Sequence, residues 1–395
     1  MKRFLTSEAV SMGHPDKLAD QISDAVLDNF LIQDPDSKVA CEAFLTDGLV
    51  IVGGEAYSEA YVDVQEVARG VIKNAGYSPK FCFDPDNCGV ISTIHSQSKD
   101  IRDAVVKADA VCAGDQGMMF GYAVNETPDY MPLAIKLANE TMRVYDKVRR
   151  DEKSYLQRFG PDAKCQYTIR YVDGKAEGIE KIIVSMQHEE GVHLGVAKGL
   201  VEHYLLKDVF EENPELAKYF AEGKTNIIVN PSGRFVIGGP KGDTGLTGRK
   251  IIVDTYGGRC PHGGGAFSGK DCTKVDRSGA YVARYIAKNI VAAGLCDECL
   301  VQLSYCIGLP HPTSIDIHTD KGDEFDAKLM AFVINNMLES FSLGNIIDKF
   351  NLKKPIFYPT SAYGHFGRKV VETQDMVLFP WEKLDLTDAF KDFKA

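Results

Sequence analysis

Short strands that alternate with helices most constrain how this chain can fold. Two pairs of strands flank Asp47-Gly48 and Asp173-Gly174, and such dipeptides are strong signals for two-residue hairpin turns. The predicted strands are residues 39–45, 49–55, 166–172, 181–187, 225–229, 300–307 and 314–318. The predicted helices are residues 15–32, 59–74, 130–149, 192–205, 277–293 and 324–338. Hairpins followed by helices predict an α+β fold in which helices cover the faces of sheets.

Length and charge limit the class of protein. The chain has 395 residues, more than one hydrophobic core usually holds, so we expect two or three domains. The net charge of −11 argues against a general nucleic-acid surface, which needs a basic face. No apolar run approaches the ~20 residues of a membrane span, and the first residues lack the apolar segment of a secretory signal. We therefore expect no nucleic-acid partner and no membrane partner.

The ten cysteines do not form a metal-binding pattern. Cys296 and Cys299 have CxxC spacing, but no second pair follows at the spacing of a zinc site. Reduced thiols in the core or at the surface are the expected state, and they point to a cytoplasmic location.

Two glutamates of the first hairpin are predicted to share one face of the sheet. A turn at Asp47-Gly48 places Glu42 opposite Gly53, and Glu55 lies two residues beyond Gly53. A solvated face is one explanation for such a pair of like charges. Because apolar residues surround both positions, a cation or an amine ligand is the other explanation.

Two shorter segments carry further candidates. Residues 13–17 join a loop to a helix N-terminus, where free backbone N–H groups attract phosphate. His14 could donate a hydrogen bond to a leaving oxygen, and Asp16 is a hard-oxygen ligand for Mg²⁺, although acids in a first turn are also ordinary caps. Asp115 lies between glycines and could bind an ammonium or a hydroxyl group, or simply form a tight turn.

The densest signal is the segment of residues 238–277, where glycines alternate with lysine, arginine and aspartate. Glycine-rich loops expose backbone N–H groups to phosphates, basic residues supply the counter-charge, and aspartate can hold a metal ion. The segment contains neither a Walker motif nor a Rossmann fingerprint. The residues alone therefore indicate a Mg-nucleotide or polyphosphate site on an α+β enzyme, and they do not identify a second substrate.

The motifs together resemble the S-adenosylmethionine synthetase family, and the resemblance covers nearly the whole chain. It runs through Gly13-His14-Pro15-Asp16-Lys17, Gly114-Asp115-Gln116-Gly117, Pro161-Asp162-Ala163-Lys164, Gly233-Arg234-Phe235, the glycine-rich segment and Ala362-Tyr363-Gly364-His365-Phe366-Gly367. It implies three similar α/β-layered domains related by pseudo-threefold symmetry, which we expect at residues 1–100, 113–231 and 232–395. It also implies a homodimer or homotetramer with active sites between subunits, two Mg²⁺ ions per site and a K⁺ activator.

The implied activity is the formation of S-adenosylmethionine from ATP and L-methionine, followed by hydrolysis of the tripolyphosphate to pyrophosphate and phosphate. The resemblance implies catalytic roles for His14, Lys164, Arg249 and Lys270. It implies ATP contacts from His14, Asp162, Lys164, Phe235, Arg249, Lys250, Lys270 and Lys274. It implies methionine contacts from Glu55, Gln97, Asp115, Asp243 and Lys274. Asp16 and Asp276 resemble the Mg²⁺ ligands, and Glu42 resembles the K⁺ ligand.

Some positions depart from the family pattern. Met12 stands where a glutamate is usual, Lys99 replaces a proline of a loop at residues 94–100, and residues 369–378 form an extra segment. None of these departures removes an implied ligand. Two other functions remain open: a polyphosphatase or phosphotransferase that uses the same cationic residues, and a catalytically silent nucleotide-binding subunit.

Overall fold

The computed structural model describes residues 1–97, 106–107 and 110–394. The predicted departure at Lys99 lies outside these residues. The strands are β1 (Lys2–Val10), β2 (Lys38–Thr46), β3 (Leu49–Tyr57), β4 (Gly89–Ser96), β5 (Val106–Lys107), β6 (Ala110–Val111), β7 (Gly117–Val124), β8 (Phe159–Val172), β9 (Lys175–His188), β10 (Asn226–Val229), β11 (Gly245–Leu246), β12 (Glu298–Tyr305), β13 (Ser314–Thr319), β14 (Val371–Glu372) and β15 (Val377–Leu378). The α-helices are α1 (Pro15–Gln33), α2 (Val64–Asn74), α3 (Leu133–Arg149), α4 (Leu194–Leu200), α5 (Leu206–Glu212), α6 (Ile251–Asp254), α7 (Val275–Ala292), α8 (Asp323–Met337) and α9 (Leu343–Phe350).

Three sheets, each covered by helices, organise the fold. The first sheet has the strand order β11-β2-β3-β4, the second β1-β8-β9-β10, and the third β13-β12-β7. Helix α1 packs on β2 and α2, α3 packs on β1 and β8, and α7 packs on β7 and β12. The predicted α+β architecture of three layered units is therefore confirmed.

The three units exchange strands in a cycle. Strand β1 comes from the N-terminal segment but pairs with β8 of the central segment. Strand β7 comes from the central segment but pairs with β12 of the C-terminal segment. Strand β11 comes from the C-terminal segment and pairs with β2 of the first sheet. Each predicted segment thus gives its first strand to a neighbouring sheet, and the segment boundaries themselves stay a prediction.

The first hairpin has the predicted register. Glu42 pairs with Gly53 across β2 and β3, and Gly48 adopts the positive φ of 67° that its turn requires. Glu55 pairs with Ala40, two positions along β3 from Gly53, so the two glutamates lie on one face as predicted.

Other elements differ from the prediction at their ends. Helix α2 begins at Val64 rather than at residue 59, because the Asp63 side chain caps the N–H groups of Gln65 and Glu66. The helix predicted at 192–205 passes through a π-helical turn at Val201–Leu205 and continues as α5. The strand predicted at 225–229 forms as β10, but the prediction that it is buried was wrong, since β10 is an edge strand that is exposed or half-buried.

The core is divided into two apolar clusters. One holds the first and third units together, and it includes Leu18, Val52 and Ile286. The other fills the central unit around Leu137, Tyr167 and Val184. All ten cysteines are free thiols, as predicted, and burial raises the pKa of the Cys299 thiol above its ordinary value. Within the described residues, no helix combines the length and the hydropathy that a membrane span needs.

Candidate active site

The N-terminus of α1 places His14 and Asp16 at the start of the site. His14 is the N-cap residue, and its Nδ1 accepts a hydrogen bond of 3.2 Å from the Asp16 N–H, while Pro15 sets the first helical turn. Burial and, to a smaller extent, the charges of four nearby cations lower the pKa of His14 to about 2; these cations are Lys250, Lys164, Lys17 and Arg249. The imidazole is therefore neutral, and because Nδ1 accepts, its proton lies on Nε2.

Asp16 connects the helix to β11 and to the cations that follow it. Its Oδ1 accepts the N–H of Leu246 at 3.0 Å, and its carboxylate pairs with the Lys250 ammonium. The Arg249 guanidinium lies 3.9 Å from the same carboxylate. One nearly buried acid thus holds two cations of the glycine-rich segment at the helix N-terminus.

Asp162 and Phe235 both lie next to Gly238. One Asp162 oxygen accepts the Gly239 N–H at 2.9 Å, whereas the other oxygen is buried with no hydrogen-bond partner. Burial raises the pKa of Asp162 to about 6. A Cβ at Gly238 would lie 2.9 Å from the Phe235 ring and 3.2 Å from Asp162, so the ring and the carboxylate are neighbours. An aromatic ring beside an unsatisfied acceptor suits a nucleoside.

Lys164 and Asp243 complete this group. Lys164 is exposed on β8, and its charge acts on both His14 and Asp162. The Asp243 charge also acts on Asp162. We call the whole set the α1 cluster; its members are His14, Asp16, Asp162, Lys164, Phe235, Asp243, Arg249 and Lys250.

The predicted residues of the hairpin line a second region. Glu42, Glu55 and Lys270 face one open cavity of about 440 Å³, which Ser268 and His95 also line. The amide of Gln97 donates to Glu55 Oε1 at 3.2 Å, and its own oxygen is buried without a partner. A carboxylate next to an unsatisfied amide oxygen favours a ligand with several N–H donors, such as an ammonium group.

Two lysines of the glycine-rich segment pair with nearby acids in this region. The Lys270 ammonium lies 2.5 Å from Asp276, and that of Lys274 lies 2.5 Å from Asp271. Burial opposes ionisation of Asp271, but the charges of Lys274 and Lys38 and the hydrogen bonds from Lys274 and Thr273 together outweigh it and hold the pKa of that carboxyl below its ordinary value.

Glycines are required where this segment meets Asp276. A Cβ at Gly265 would lie 2.3 Å from the Asp276 carboxyl carbon, and a Cβ at Gly263 would lie 1.8 Å from the Met118 carbonyl oxygen. Asp115 is exposed on the adjoining loop, which is held by a 3.1 Å bond from the Gly114 N–H to the Thr273 carbonyl. We call this set the hairpin cluster; its members are Glu42, Glu55, Gln97, Asp115, Lys270, Lys274 and Asp276.

The structure brings each cluster together but does not join the two within one chain. Among the described residues, no hydrogen bond or ion pair links a side chain of the α1 cluster to one of the hairpin cluster. Strand β11 lies between them, because Leu246 bonds to Asp16 through its N–H and also lines the hairpin cavity.

The predicted metal ligands Asp16 and Asp276 lie in different clusters. In the part of the chain that the structure describes, only His318, Asp323 and Asp326 place three possible metal-binding atoms close together, and sequence reasoning did not propose them. Mg²⁺ in nucleotide sites commonly binds one or two carboxylates together with substrate phosphates, so a complete protein cage is not needed. Single aspartates beside lysines fit a metal that arrives with a polyphosphate.

Sequence reasoning missed a line of buried charges beneath both clusters. Four aspartates of α1 are spaced four residues apart and are almost fully buried: Asp16, Asp20, Asp24 and Asp28. Two buried cations, Lys17 and Arg277, pair with Asp20 and Asp24, and Lys17 also pairs with a further buried acid, Asp254. The spacing was visible in the sequence, but acids at this spacing usually lie on the solvated face of a helix.

Comparison with known proteins agrees with the resemblance in every part of the chain. Family models match residues 2–99 (S-adenosylmethionine synthetase, N-terminal domain), 110–235 (central domain) and 237–383 (C-terminal domain). An S-adenosylmethionine synthase of Chlorobium phaeobacteroides is 49% identical over 98% of this chain and 97% of its own length. Those of Pseudothermotoga lettingae and Porphyromonas gingivalis are 48% and 47% identical, each over 99% of both chains. The chain therefore belongs to the S-adenosylmethionine synthetase family.

Proposed function

We propose that this protein forms S-adenosylmethionine from ATP and L-methionine and then hydrolyses the tripolyphosphate to pyrophosphate and phosphate. The observation that carries the proposal is the α1 cluster. There, Lys250 and Arg249 are held beside a neutral His14 at a helix N-terminus. Such a cluster suits a polyphosphate leaving group, because cations and helix N–H groups both stabilise its charge.

The chemistry needs alignment and leaving-group stabilisation more than it needs a base. The methionine thioether is a neutral nucleophile, so its sulfur can attack C5′ of ATP without losing a proton. The C5′–O bond breaks, and the negative charge develops on the bridging oxygen of the tripolyphosphate. His14 can donate to that oxygen through Nε2–H, while Lys164, Arg249 and Lys270 supply positive charge.

The remaining members of the α1 cluster would hold the nucleoside. Phe235 offers an aromatic face to adenine, and Asp162 has a free acceptor for a ribose hydroxyl. Lys250 pairs with Asp16 in the structure, and we assign it to the phosphates together with Lys274 of the hairpin cluster.

The hairpin cluster would hold methionine. Glu55, Gln97 and Asp115 present oxygens to the ammonium group of the amino acid, and Asp243 and Lys274 add contacts. Glu42 would hold K⁺ at the same cavity, and Asp16 and Asp276 would hold one Mg²⁺ each. When bound, Mg²⁺ supplies charge that neutralises the phosphate oxygens.

A complete site would need two chains. The α1 cluster of one chain and the hairpin cluster of a partner would face each other, in a homodimer or in a homotetramer of two dimers. The separation of the clusters by β11 supports this arrangement. So does the side chain of Ile91, which is 48% exposed on β4 and pairs with Ile51 at the wall of the hairpin cavity. A cytoplasmic location fits the free thiols and belongs to the same proposal.

The test is to incubate the protein with ATP, methionine, Mg²⁺ and K⁺ and to detect the products by mass spectrometry and phosphate assays. We expect the sulfonium product, pyrophosphate and phosphate in equal amounts. Phosphate release that does not depend on methionine would instead indicate a polyphosphatase or phosphotransferase. Nucleotide binding without any product would indicate a silent subunit.

A further inference from the structure

The four buried aspartates of α1, which we call the aspartate ladder, all accept backbone N–H groups from the C-terminal third of the chain. Residues four apart lie above one another on a helix, so the ladder (Asp16, Asp20, Asp24 and Asp28) follows one face of α1. Its N–H donors are Leu246, Gly248, Gly269, Phe357 and Tyr358, in that order along the helix. The helix therefore sets the position of the glycine-rich segment.

Asp20 fixes the loop that carries Arg249 and Lys250. Its Oδ1 accepts the Gly248 N–H at 2.9 Å, and its Oδ2 accepts from the Lys17 ammonium at 3.0 Å. Lys17 also donates to Asp254 at 2.5 Å, just beyond the two cations in the chain. Burial alone would lower the pKa of Lys17, but the charges of Asp20 and Asp254 raise it above its ordinary value.

Asp24 fixes the loop that carries Lys270. Its Oδ1 accepts the Gly269 N–H at 2.8 Å, and both oxygens accept from the Arg277 guanidinium at 2.7 and 2.9 Å. Arg277 further donates to the carbonyls of Phe267 and Lys270 at 3.0 and 3.2 Å. Asp24 and Arg277 are almost completely buried, so the pair is screened little by solvent.

Neither of the two glycines that the aspartate ladder holds has room for a side chain. Gly248 has a φ of 76°, and a Cβ there would lie 2.3 Å from the Ala266 Cβ. Gly269 has a φ of 80°, and a Cβ there would lie 1.8 Å from the Cys41 carbonyl oxygen. The residue immediately after each glycine is a cation of the site, so a shift of either glycine displaces that cation.

We propose that Asp20 and Asp24 are positioning residues, each of which sets the cation loop of one cluster through a glycine N–H and a compensating buried cation. Asp20 acts on Arg249 and Lys250 with Lys17 and Asp254, and Asp24 acts on Lys270 with Arg277. The inference rests on the proposed function and assigns roles that touch neither substrate.

The test is a pair of double-mutant cycles, with single-turnover formation of the sulfonium product as the readout so that slow variants remain measurable. Alone, Asp20→Asn and Asp24→Asn should each slow the step by about tenfold to 100-fold. In a background that carries both Arg249→Ala and Lys250→Ala, Asp20→Asn should slow the step by less than about threefold, because the two groups that it positions are already lost. Asp24→Asn should behave likewise in a Lys270→Ala background, and the crossed pairs should be additive.

Asp28→Asn is the matched control. Asp28 is the next rung of the ladder and is similarly buried, but it holds Phe357 and Tyr358 rather than a cation loop. Relative to the same chain without the substitution, we expect Asp28→Asn to change the rate by less than about twofold in both backgrounds. If Asp20→Asn does not fold, Asp20→Glu replaces it, since it keeps the charge near Lys17 and moves the carboxylate by one methylene.

The outcomes separate the two proposals. If the wild-type protein forms no sulfonium product, the proposed function fails. If it forms product but the matched cycles are additive, or if Asp28→Asn slows the step as much as its neighbours, the positioning roles are overturned. Non-additive matched cycles beside additive crossed cycles support them.

Discussion

The α1 cluster and the hairpin cluster hold similar charges in different ways. In the α1 cluster, a nearly buried Asp16 binds cations from a distant segment of the chain, and Asp162 keeps an unpaired oxygen. In the hairpin cluster, Lys270 and Lys274 pair with acids at most six residues away, and Lys270 also lines an open cavity. The ion pairs of the α1 cluster therefore cross the fold, whereas the lysine pairs of the hairpin cluster are local in sequence, although Asp24 of α1 also holds the loop that carries Lys270.

This difference indicates how the work is divided. Groups that are fixed by the tertiary fold and cannot relax suit the reacting end of ATP, where misplacement is costly. Local pairs beside an open cavity can separate when a ligand arrives, which suits the binding of an amino acid and of ions. The following changes test whether the two clusters differ in this way.

The largest effect is expected where a metal would bind. Asp16→Asn and Asp276→Asn should each lower kcat by about 1,000-fold, because charge on the departing phosphates is then poorly neutralised. Mg²⁺ titrations of the turnover rate should show a shift to higher concentration in both variants. A near-normal rate with unchanged Mg²⁺ dependence in either variant would refute that metal ligand.

Lys164→Ala should separate the two chemical steps. We expect formation of the sulfonium product to fall about 100-fold, because the Lys164 charge acts on His14 and Asp162, near which the leaving oxygen would be. Hydrolysis of added tripolyphosphate should fall much less, since Arg249, Lys250 and Lys270 remain. Parallel assays of both steps check the claim, and equal losses would contradict it.

An acid of the α1 cluster and an acid that pairs with the hairpin cluster should change the free energy of unfolding with opposite dependences on pH. Burial raises the folded-state pKa of Asp162 to about 6, so ionisation of Asp162 costs stability as the pH rises from about 4 to 6. Asp162→Asn should therefore stabilise the protein by about 2 kcal/mol at pH 8 and by little at pH 4.

Asp271 is the matched contrast, because nearby lysine charges and hydrogen bonds together outweigh burial and lower its pKa. Its contribution is present above the unfolded-state pKa and is lost as the pH falls through the folded-state pKa. Asp271→Asn should therefore destabilise the protein at pH 8 and less so in acid. Urea denaturation at both pH values measures the free energy of unfolding of the two variants. Changes of the same sign in that free energy would contradict the contrast.

The smallest effect is expected at the amino-acid end. Glu55→Gln keeps the hydrogen bond to Gln97 but removes one negative charge from the hairpin cavity. We expect the KM for methionine to rise about tenfold while the KM for ATP changes little, because only an ammonium contact is weakened. Initial rates with each substrate varied in turn provide the measurement, and an equal rise in both KM values would count against the assignment.

Local signals were sufficient for much of the fold. The Asp47-Gly48 turn fixed the register that pairs Glu42 with Gly53, since hairpin geometry depends on the turn alone. Pro15 marked the start of α1, and Gly294 lies just after the end of α7, as in the sequence-based prediction. Residues within one or two turns of each other can be related by spacing, and the pairing of Lys270 with Asp276 is of this kind.

Long-range relations were beyond the sequence. A two-residue strand such as β11 carries too little pattern to reveal that it joins β2, about two hundred residues earlier. The burial of Asp20 and Asp24 depends on Lys17 and Arg277 closing over them, which no helical pattern contains. Local patterns suggested roles for a few residues such as His14 and Asp16, the resemblance supplied the rest, and all of these roles stay predictions.

The cyclic exchange of strands has a consequence for the growing chain on the ribosome. β2 keeps an unpaired edge until Leu246 has been made, and β1 waits for β8 before its own N–H groups are paired. Nascent chains that stop before residue 246 therefore expose a sheet edge that favours association with other chains. Each unit completes its sheet only with a strand from another unit, so the three units cannot fold one after another and must fold together.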